Sequence, residues 1–255
     1  MSVSRKKLER EINKYLNIYD FKDYGPNGLQ VEGKEEVTKV AFAVSATNHS
    51  INEAVRLGAD TLIVHHGLFW SFHGTKPLKG PFAKRVFPLI KNDINLFGYH
   101  LPLDAHEEVG NAAQIADKIG LEKRKPFGDH KGCPTGISGV FTKPIKATEL
   151  KKLLKTTLDH DVLHASPDDE QMIKSIGIIT GGANSDWVLS MKGGLDAYLT
   201  GEMSEHDWHE SKEAGIHMFA GGHNATEQFG VQALMTKVQK DFDLECFYIS
   251  SENPA

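Results

Sequence analysis

The stretch that decides the fold runs from residue 39 to residue 66 and reads KVAFAVSATNHSINEAVRLGADTLIVHH. Residues 40–44 and 61–64 are short apolar runs, which predicts two buried strands. Between them, residues 51–57 carry apolar side chains at helical spacing, and Gly58 follows as a glycine often does past a helix C-terminus. A strand, a helix and a second strand in this order predict a right-handed crossover and a parallel pair of strands.

The same order of apolar runs returns in the second half of the chain, at a constant offset that aligns residue 40 with residue 176. A third strand pattern, INLFGYH from residue 94, resembles HMFAGGH from residue 217 at a different offset. We therefore predict an α/β protein of two related, interlocked halves with mixed sheets and a dinuclear metal site between them. The predicted halves are residues 1–122 and 123–255, and the C-terminal segment is a candidate to pack on the first half.

Composition and charge exclude several classes of protein. The formal net charge is −5, which gives no bulk electrostatic argument for nucleic-acid binding. Cys133 and Cys246 lie far apart, which argues against a disulfide framework or a cysteine zinc cluster and predicts a reducing, cytoplasmic location. No stretch approaches the ~20 apolar residues of a membrane span. The charged N-terminus lacks the apolar core of a signal peptide.

Side chains that bind metals gather at the ends of the predicted strands. They are His65, His66, His100, Asp104, His223 and Glu227. Ligands of open α/β sheets bind beyond the carboxyl ends of strands, and imidazole with carboxylate suits a divalent transition metal. A single site with an open position needs only three protein ligands, so this set is better matched to two ions that share a bridging carboxylate.

Each of these residues also has a simpler interpretation. A lone histidine near a strand end is usually a satisfied polar residue, and Asp104 could cap a following helix. Glu227 could be stabilised by the dipole of a helix that begins near His223. If one helix contains both residues, however, their spacing places them on one face. The joint occurrence is harder to explain by chance, so we favour a metal site.

Two further clusters leave alternatives open. Glu202 follows the strand that mirrors the strand before His65, together with Glu205, His206 and His209. These side chains could line the same pocket, orient the ligands or form a solvated helix face. Residues 180–185 read TGGANS, a glycine turn before a helix, and such a turn can hold an anion with backbone N–H groups.

The sequence resembles the dinuclear-metal-centre hexameric proteins, a Nif3-like family often named GTP cyclohydrolase I type 2 homologs, in their short bacterial form. The resemblance rests on PNGLQVEG at 26–33, VHHG at 64–67, GYHLPLD at 98–104, TGE at 200–202, AGGHNATE at 220–227 and NPA at 253–255. It implies two divalent ions per subunit, zinc, iron or manganese, and a toroidal homohexamer. The implied ligands are His65, His66, Asp104, His223 and Glu227, with Glu227 as the bridge. His100 matches a pocket histidine of the family.

The favoured hypothesis is a dinuclear-metal-dependent hydrolase of a nucleotide-like small molecule, in which His100 and Glu202 are the candidate catalytic residues that move protons. The family names suggest ring opening of the GTP cyclohydrolase type, and a phosphoester or damaged nucleotide is comparably plausible. The alternative is a non-catalytic metal-binding ring that acts as a binding module, adaptor or metal chaperone. Neither a membrane nor nucleic acid is expected as a partner.

Overall fold

The apolar runs and helical patterns become thirteen strands and nine helices in the computed structural model, which describes residues 1–255. The strands are β1 (Val3–Ser4), β2 (Gly28–Val31), β3 (Glu36–Val37), β4 (Lys39–Ser45), β5 (Thr61–His66), β6 (Asn95–Gly98), β7 (Leu121–His130), β8 (Cys133–Lys146), β9 (Leu163–Ala165), β10 (Met172–Ile178), β11 (Ala197–Thr200), β12 (His217–Ala220) and β13 (Glu245–Tyr248). The helices are α1 (Arg5–Tyr15), α2 (Asn48–Leu57), α3 (Gly80–Lys91), α4 (Leu101–Asp104), α5 (Asn111–Lys118), α6 (Ala147–Leu158), α7 (Trp187–Lys192), α8 (Glu205–Glu213) and α9 (His223–Phe242). None of the helices combines the length and the apolar character needed to cross a membrane.

The first compact unit comprises Met1–Leu103 and Gly230–Glu252, and it contains a mixed five-stranded sheet. The strand order is β13-β4-β5-β6-β2, in which β2 runs antiparallel to β6 and the other neighbours are parallel. Helices α2 and α3 contribute Ile51 and Val86 to a core that also contains Leu62 of β5. The predicted parallel pair of strands is therefore confirmed.

Helix α2 shows why the crossover could be predicted from local sequence. Thr47 and Ser50 form a capping box, in which each side chain accepts a hydrogen bond from the backbone N–H of the other. Gly58 ends the helix at φ 67°, a left-handed conformation that glycine adopts without steric cost. Both boundaries are set by residues within a few positions of the helix.

The second compact unit comprises Asp104–Phe229 and Asn253–Ala255, and it contains a mixed six-stranded sheet. The strand order is β7-β8-β10-β11-β12-β9, and the central strands β10, β11 and β12 are parallel. Helices α5 and α6 bury Ile115 and Leu150 in one core with Ile176 of β10.

The predicted repeat is visible in the register of the strands. Val40 of β4 pairs with Thr61 of β5, and their aligned counterparts Ile176 and Ala197 pair in the same way between β10 and β11. The α/β class with mixed sheets and two related sheets is thus confirmed.

The division of the chain differs from the predicted boundary after residue 122. The first unit ends at Leu103 and the second begins at Asp104, because α5 buries its apolar face in the core of the second sheet. Residues 230–252 near the C-terminus belong to the first unit. Residues 123–172 also contain strands that the apolar patterns did not predict. Strands β7 and β8 form a long antiparallel hairpin there, and its outer strand is mostly exposed, so no apolar alternation marks it.

Candidate metal centre

Three histidines of the first unit bring their ring nitrogens together. His65 and His66 are the last residues of β5, and His100 follows the neighbouring parallel strand β6, so all three lie at the carboxyl edge of the sheet. One ring nitrogen of each lies within 4.8 Å of the others. The ring centroids of His65 and His66 are 4.6 Å apart. The two side chains therefore lie close together, although successive side chains of a strand normally point to opposite faces of the sheet.

Each of these imidazoles is held through its Nδ1 atom. The Nδ1–H of His65 donates to the carbonyl oxygen of Tyr99 at 3.0 Å, and that of His100 donates to Oδ1 of Asp23 at 2.7 Å. Nδ1 of His66 lies 3.0 Å from the hydroxyl oxygen of Ser45. A partner at Nδ1 fixes the ring and its tautomer, as is usual for histidines that bind a metal through Nε2.

Asp23 anchors the loop that carries His100. Burial alone would raise the pKa of Asp23, but hydrogen bonds and charge from His100, with the amide of Asn27 and the backbone of Tyr24, lower it to about 2. Asp23 is therefore an ionised acceptor, and it also accepts from the backbone N–H of Leu101 at 2.9 Å. Asn27 completes the anchor, since its Oδ1 accepts from the backbone N–H of His100 at 2.8 Å.

Gln30 fixes the turn after His66. Its Oε1 accepts from the backbone N–H of Leu68 at 2.8 Å, and its Nε2 donates to the carbonyl of Pro26 at 2.8 Å. A Cβ atom on Gly67 or Gly98 would collide with the Gln30 side chain. A larger residue in place of Gly67 or Gly98 would therefore displace the Gln30 side chain that fixes this turn.

The second unit carries the remaining predicted ligands. His223 opens α9 and Glu227 lies one turn later, with Nε2 of His223 3.2 Å from Oε2 of Glu227. The Nδ1–H of His223 donates to Oε1 of Glu202 at 2.5 Å. Burial alone would lower the pKa of His223, but the carboxylates of Glu227 and Glu202 raise it to about 9. The imidazole of the metal-free protein is therefore protonated at neutral pH.

Asp104 and Glu227 form a close acidic pair in the same unit. Only 9% of Asp104 and 3% of Glu227 is exposed, and a carboxylate oxygen of one lies within 4.8 Å of one of the other. Asn111 and Thr180 donate to Oδ1 of Asp104 at 2.8 and 3.3 Å, which orients it. Two carboxylates so close and so little exposed repel each other unless a cation or a proton lies nearby.

The glycine turn at residues 180–185 packs against this acidic pair. A Cβ atom on Gly181 would collide with the Glu227 carboxylate, and Gly182 faces His223 and Glu202. An anion there would face the carboxylates of Glu227 and Glu202, which argues against the anion-binding interpretation of this turn. The turn instead makes room for the side chains of the candidate metal ligands.

The donor set fits a divalent transition metal. Imidazoles fixed at Nδ1 and buried carboxylates are the groups that zinc, iron and manganese bind. The first unit brings together His65, His66 and His100, and the second brings together Asp104, His223, Glu227 and Glu202. By contrast, the neighbouring His206 and His209 have mostly exposed side chains and belong to a solvated face of α8.

Apart from Glu202, which holds His223, the residues that hold these ligands were not identified from the sequence. Asn27 and Gln30 lie within the PNGLQVEG motif, which was a usable signal, although their role was not evident from it. Thr180 begins the TGGANS turn, although its contact with Asp104 was not evident from it. Asp23 and Ser45 had no comparable signal, because each meets its histidine only in the folded chain.

Comparison with protein families matches residues 3–254 to the model described as Duf34/NIF3 (NGG1p interacting factor 3). Among curated proteins, relatives from Escherichia coli (strain K12) and Pasteurella multocida (strain Pm70) are 41% and 38% identical to this chain. Both are named GTP cyclohydrolase 1 type 2 homolog, and each alignment covers 97% of this chain and 98% of the relative.

Solved structures share the whole fold. The structure of a protein named ybgI, described as of unknown function, is 40% identical with a TM-score of 0.92 and covers 99% of this chain and 100% of that one. TTHA1606 from Thermus thermophilus is 32% identical with a TM-score of 0.90 and the same coverage. Reduced HcgD from Methanocaldococcus jannaschii, 22% identical over 98% of this chain and 99% of its own, has a TM-score of 0.86 and shows the fold alone.

Proposed function

The chain belongs to the Duf34/NIF3 family, and we propose that it is a dinuclear-metal-dependent hydrolase of a nucleotide-like small molecule. One observation carries the proposal: His65, His66, His100 and His223 are each held at Nδ1 by a fixed partner. A histidine that only packs in the core does not need a fixed tautomer. A histidine that binds a metal usually has its other ring nitrogen held by a partner, which fixes the tautomer and the orientation of the ring. The names of the relatives suggest a reaction of the GTP cyclohydrolase type.

In this proposal, His65, His66, Asp104, His223 and Glu227 would hold two divalent ions, and Glu227 would serve both of them. Bound ions of this kind lower the pKa of water and neutralise negative charge that develops on a substrate. That the ligand sets of the two units complete one centre stays a prediction from the sequence. The homohexamer also stays a prediction, which sedimentation of the purified protein would test.

His100 is the candidate for moving a proton at Nε2. Asp23 stays ionised beside its Nδ1–H, so a proton that arrives at Nε2 would create an imidazolium facing a carboxylate. This arrangement both orients the ring and stabilises its charged form. Glu202 holds His223 in the same manner, which makes it a positioning residue that fixes the imidazole in this proposal.

The test is turnover of a nucleotide panel by purified full-length protein loaded with zinc, manganese or iron(II), with products identified by mass spectrometry. We expect metal-dependent hydrolysis of at least one nucleotide, and a loss of at least a hundredfold in a His100→Gln variant. His209→Gln, on an exposed face of α8, is the matched control and should retain full activity. Bound metal without turnover of any nucleotide would overturn the proposal and favour the non-catalytic binding ring.

A further inference from the structure

An aromatic cavity adjoins the histidines of the first unit. It has a volume of about 530 Å³, and its walls include Tyr24, Phe69, Trp70 and Phe82. The Trp70 ring stands edge-on to the His100 ring, with centroids 5.0 Å apart, and it lies 5.9 Å from the His66 ring. Pockets of this size and apolar character are typical of small-molecule sites. The three histidines do not line the cavity themselves, but its lining includes Trp70 and Asp23, which both contact His100.

A basic cavity of about 350 Å³ shares Lys76 and Phe82 with the aromatic cavity. Its other charged lining residues are Lys79 and Arg85, and its lining contains no carboxylate. Residues 67–92 include no aspartate or glutamate at all, although the whole chain carries a net charge of −5. This local excess of cations is suited to an anion with several oxygens, such as a phosphate.

Where the two cavities meet, an aromatic ring and a positive charge lie side by side. Nζ of Lys76 lies 5.0 Å from the centroid of the Phe82 ring, within the range of a cation–π contact. A purely apolar ligand would leave the basic cavity unused, and a simple anion would leave the aromatic walls unused. A ligand with a planar ring at one end and a phosphate at the other uses both.

We propose that the two cavities bind a nucleotide in one orientation, with its base against Trp70 and its phosphate at Lys76, Lys79 and Arg85. The basic cavity includes neither Trp70 nor any of the three histidines in its lining, so the phosphate lies at the far end. The base, and not the phosphate, then lies against Trp70, whose ring contacts the rings of His66 and His100. This inference rests on the proposed function only in taking the histidines as the place of reaction, and it favours a substrate attacked on its ring over a phosphoester.

The experiment is calorimetric titration of the metal-stripped full-length protein with guanosine 5′-monophosphate, guanosine and inorganic phosphate. We expect saturable binding of the monophosphate and at least tenfold weaker binding of guanosine and of phosphate alone. Trp70→Leu and Lys76→Ala should each weaken binding of the monophosphate about tenfold or more, since each removes one of the two recognised groups. Lys84→Ala is the matched control, because Lys84 is exposed on helix α3 next to Arg85 and is absent from both linings.

Trp70→Phe keeps an aromatic ring and should restore most of the affinity lost in Trp70→Leu, which separates stacking from a general loss of folding. Equal binding of the monophosphate and guanosine, or wild-type affinity in Lys76→Ala, would overturn the assignment. A single-stranded oligonucleotide that binds tenfold tighter than the monophosphate would also overturn it and would indicate a nucleic-acid platform.

These titrations measure binding without metal and without turnover, so they can reject this inference independently of the proposed hydrolase function. The expected binding pattern without turnover in the metal-loaded protein would leave this inference standing and reject the hydrolase. Full turnover of a nucleotide by the Trp70→Leu and Lys76→Ala variants would support the hydrolase and reject this inference.

Discussion

Metal binding should compete with a proton on His223. The pKa of this imidazole is about 9 in the metal-free protein, because Glu227 and Glu202 outweigh the effect of burial. At pH 7 only ~1% of the molecules then carry the neutral ring that a metal needs. The apparent affinity for zinc should therefore rise about tenfold per pH unit up to pH 9, and about one proton should leave His223 for each metal bound there.

The assay is calorimetry of zinc binding between pH 7.5 and 8.5, in buffers that differ in ionisation enthalpy, with a weak chelator to keep zinc in solution. An ordinary histidine has a pKa near 6.5, so histidines with such a value are already neutral in this window and do not mask His223. Glu202→Gln keeps an acceptor for Nδ1–H but removes one of the two charges, so it should lower the pKa of His223 and reduce proton release. Glu205→Gln, exposed and 3.3 Å from His209, is the matched control.

Zinc affinity that is the same at pH 7.5 and pH 8.5, with no proton released in any buffer, would refute this reasoning. So would equal proton release in the wild type and Glu202→Gln. Either result would mean that His223 is neutral before the metal binds, or that it is not a ligand.

The other predictions concern the supports of the site and one buried histidine. Gly181→Ala should lower the metal affinity at least tenfold, measured by competition with a chelator, because the new Cβ atom would collide with Glu227. Gly182→Ala should leave the metal affinity unchanged, because its Cβ atom would lie 3.5 Å from its nearest neighbour. Asp23→Asn should keep the bound metal, measured by mass spectrometry, but lower turnover at least a hundredfold, since the charge facing the imidazole is lost. Burial and the nearby His217 lower the pKa of His164 to about 4. Because the folded pKa lies below the unfolded value of about 6.5, the stability is full above pH 6.5 and falls towards pH 4. By pH 5 the loss should be ~2 kcal/mol in urea unfolding of the metal-free protein, and His164→Phe should not show this loss; an identical pH dependence in that variant would contradict the prediction.

The sequence predicted those parts of the fold that depend on neighbouring residues. Helix α2 is bounded by Thr47 and Gly58, and apolar runs mark the strands on both sides of it. The crossover could therefore be predicted from residues that are close together in the sequence. The repeat aligned residue 40 with residue 176, and the register of the strands bears this out.

The hairpin β7–β8 was missed for a physical reason. Most side chains of β7 are exposed, so the strand is held by backbone hydrogen bonds to β8 and not by an apolar face that a pattern could reveal. The compact units of the structure also divide at a different residue, since the apolar face of α5 does not specify which sheet it covers.

By itself the sequence determined which residue types stand at the ends of the strands, and so predicted His65, His66, His100, Asp104, His223 and Glu227 as a metal-binding set. Only the tertiary structure decided how each ring is held. Asp23 reaches His100 across 77 positions of the chain, and Glu202 reaches His223 across 21. These hydrogen bonds form because sheet register and tight glycine turns bring distant loops together, and no local pattern in the sequence encodes that meeting.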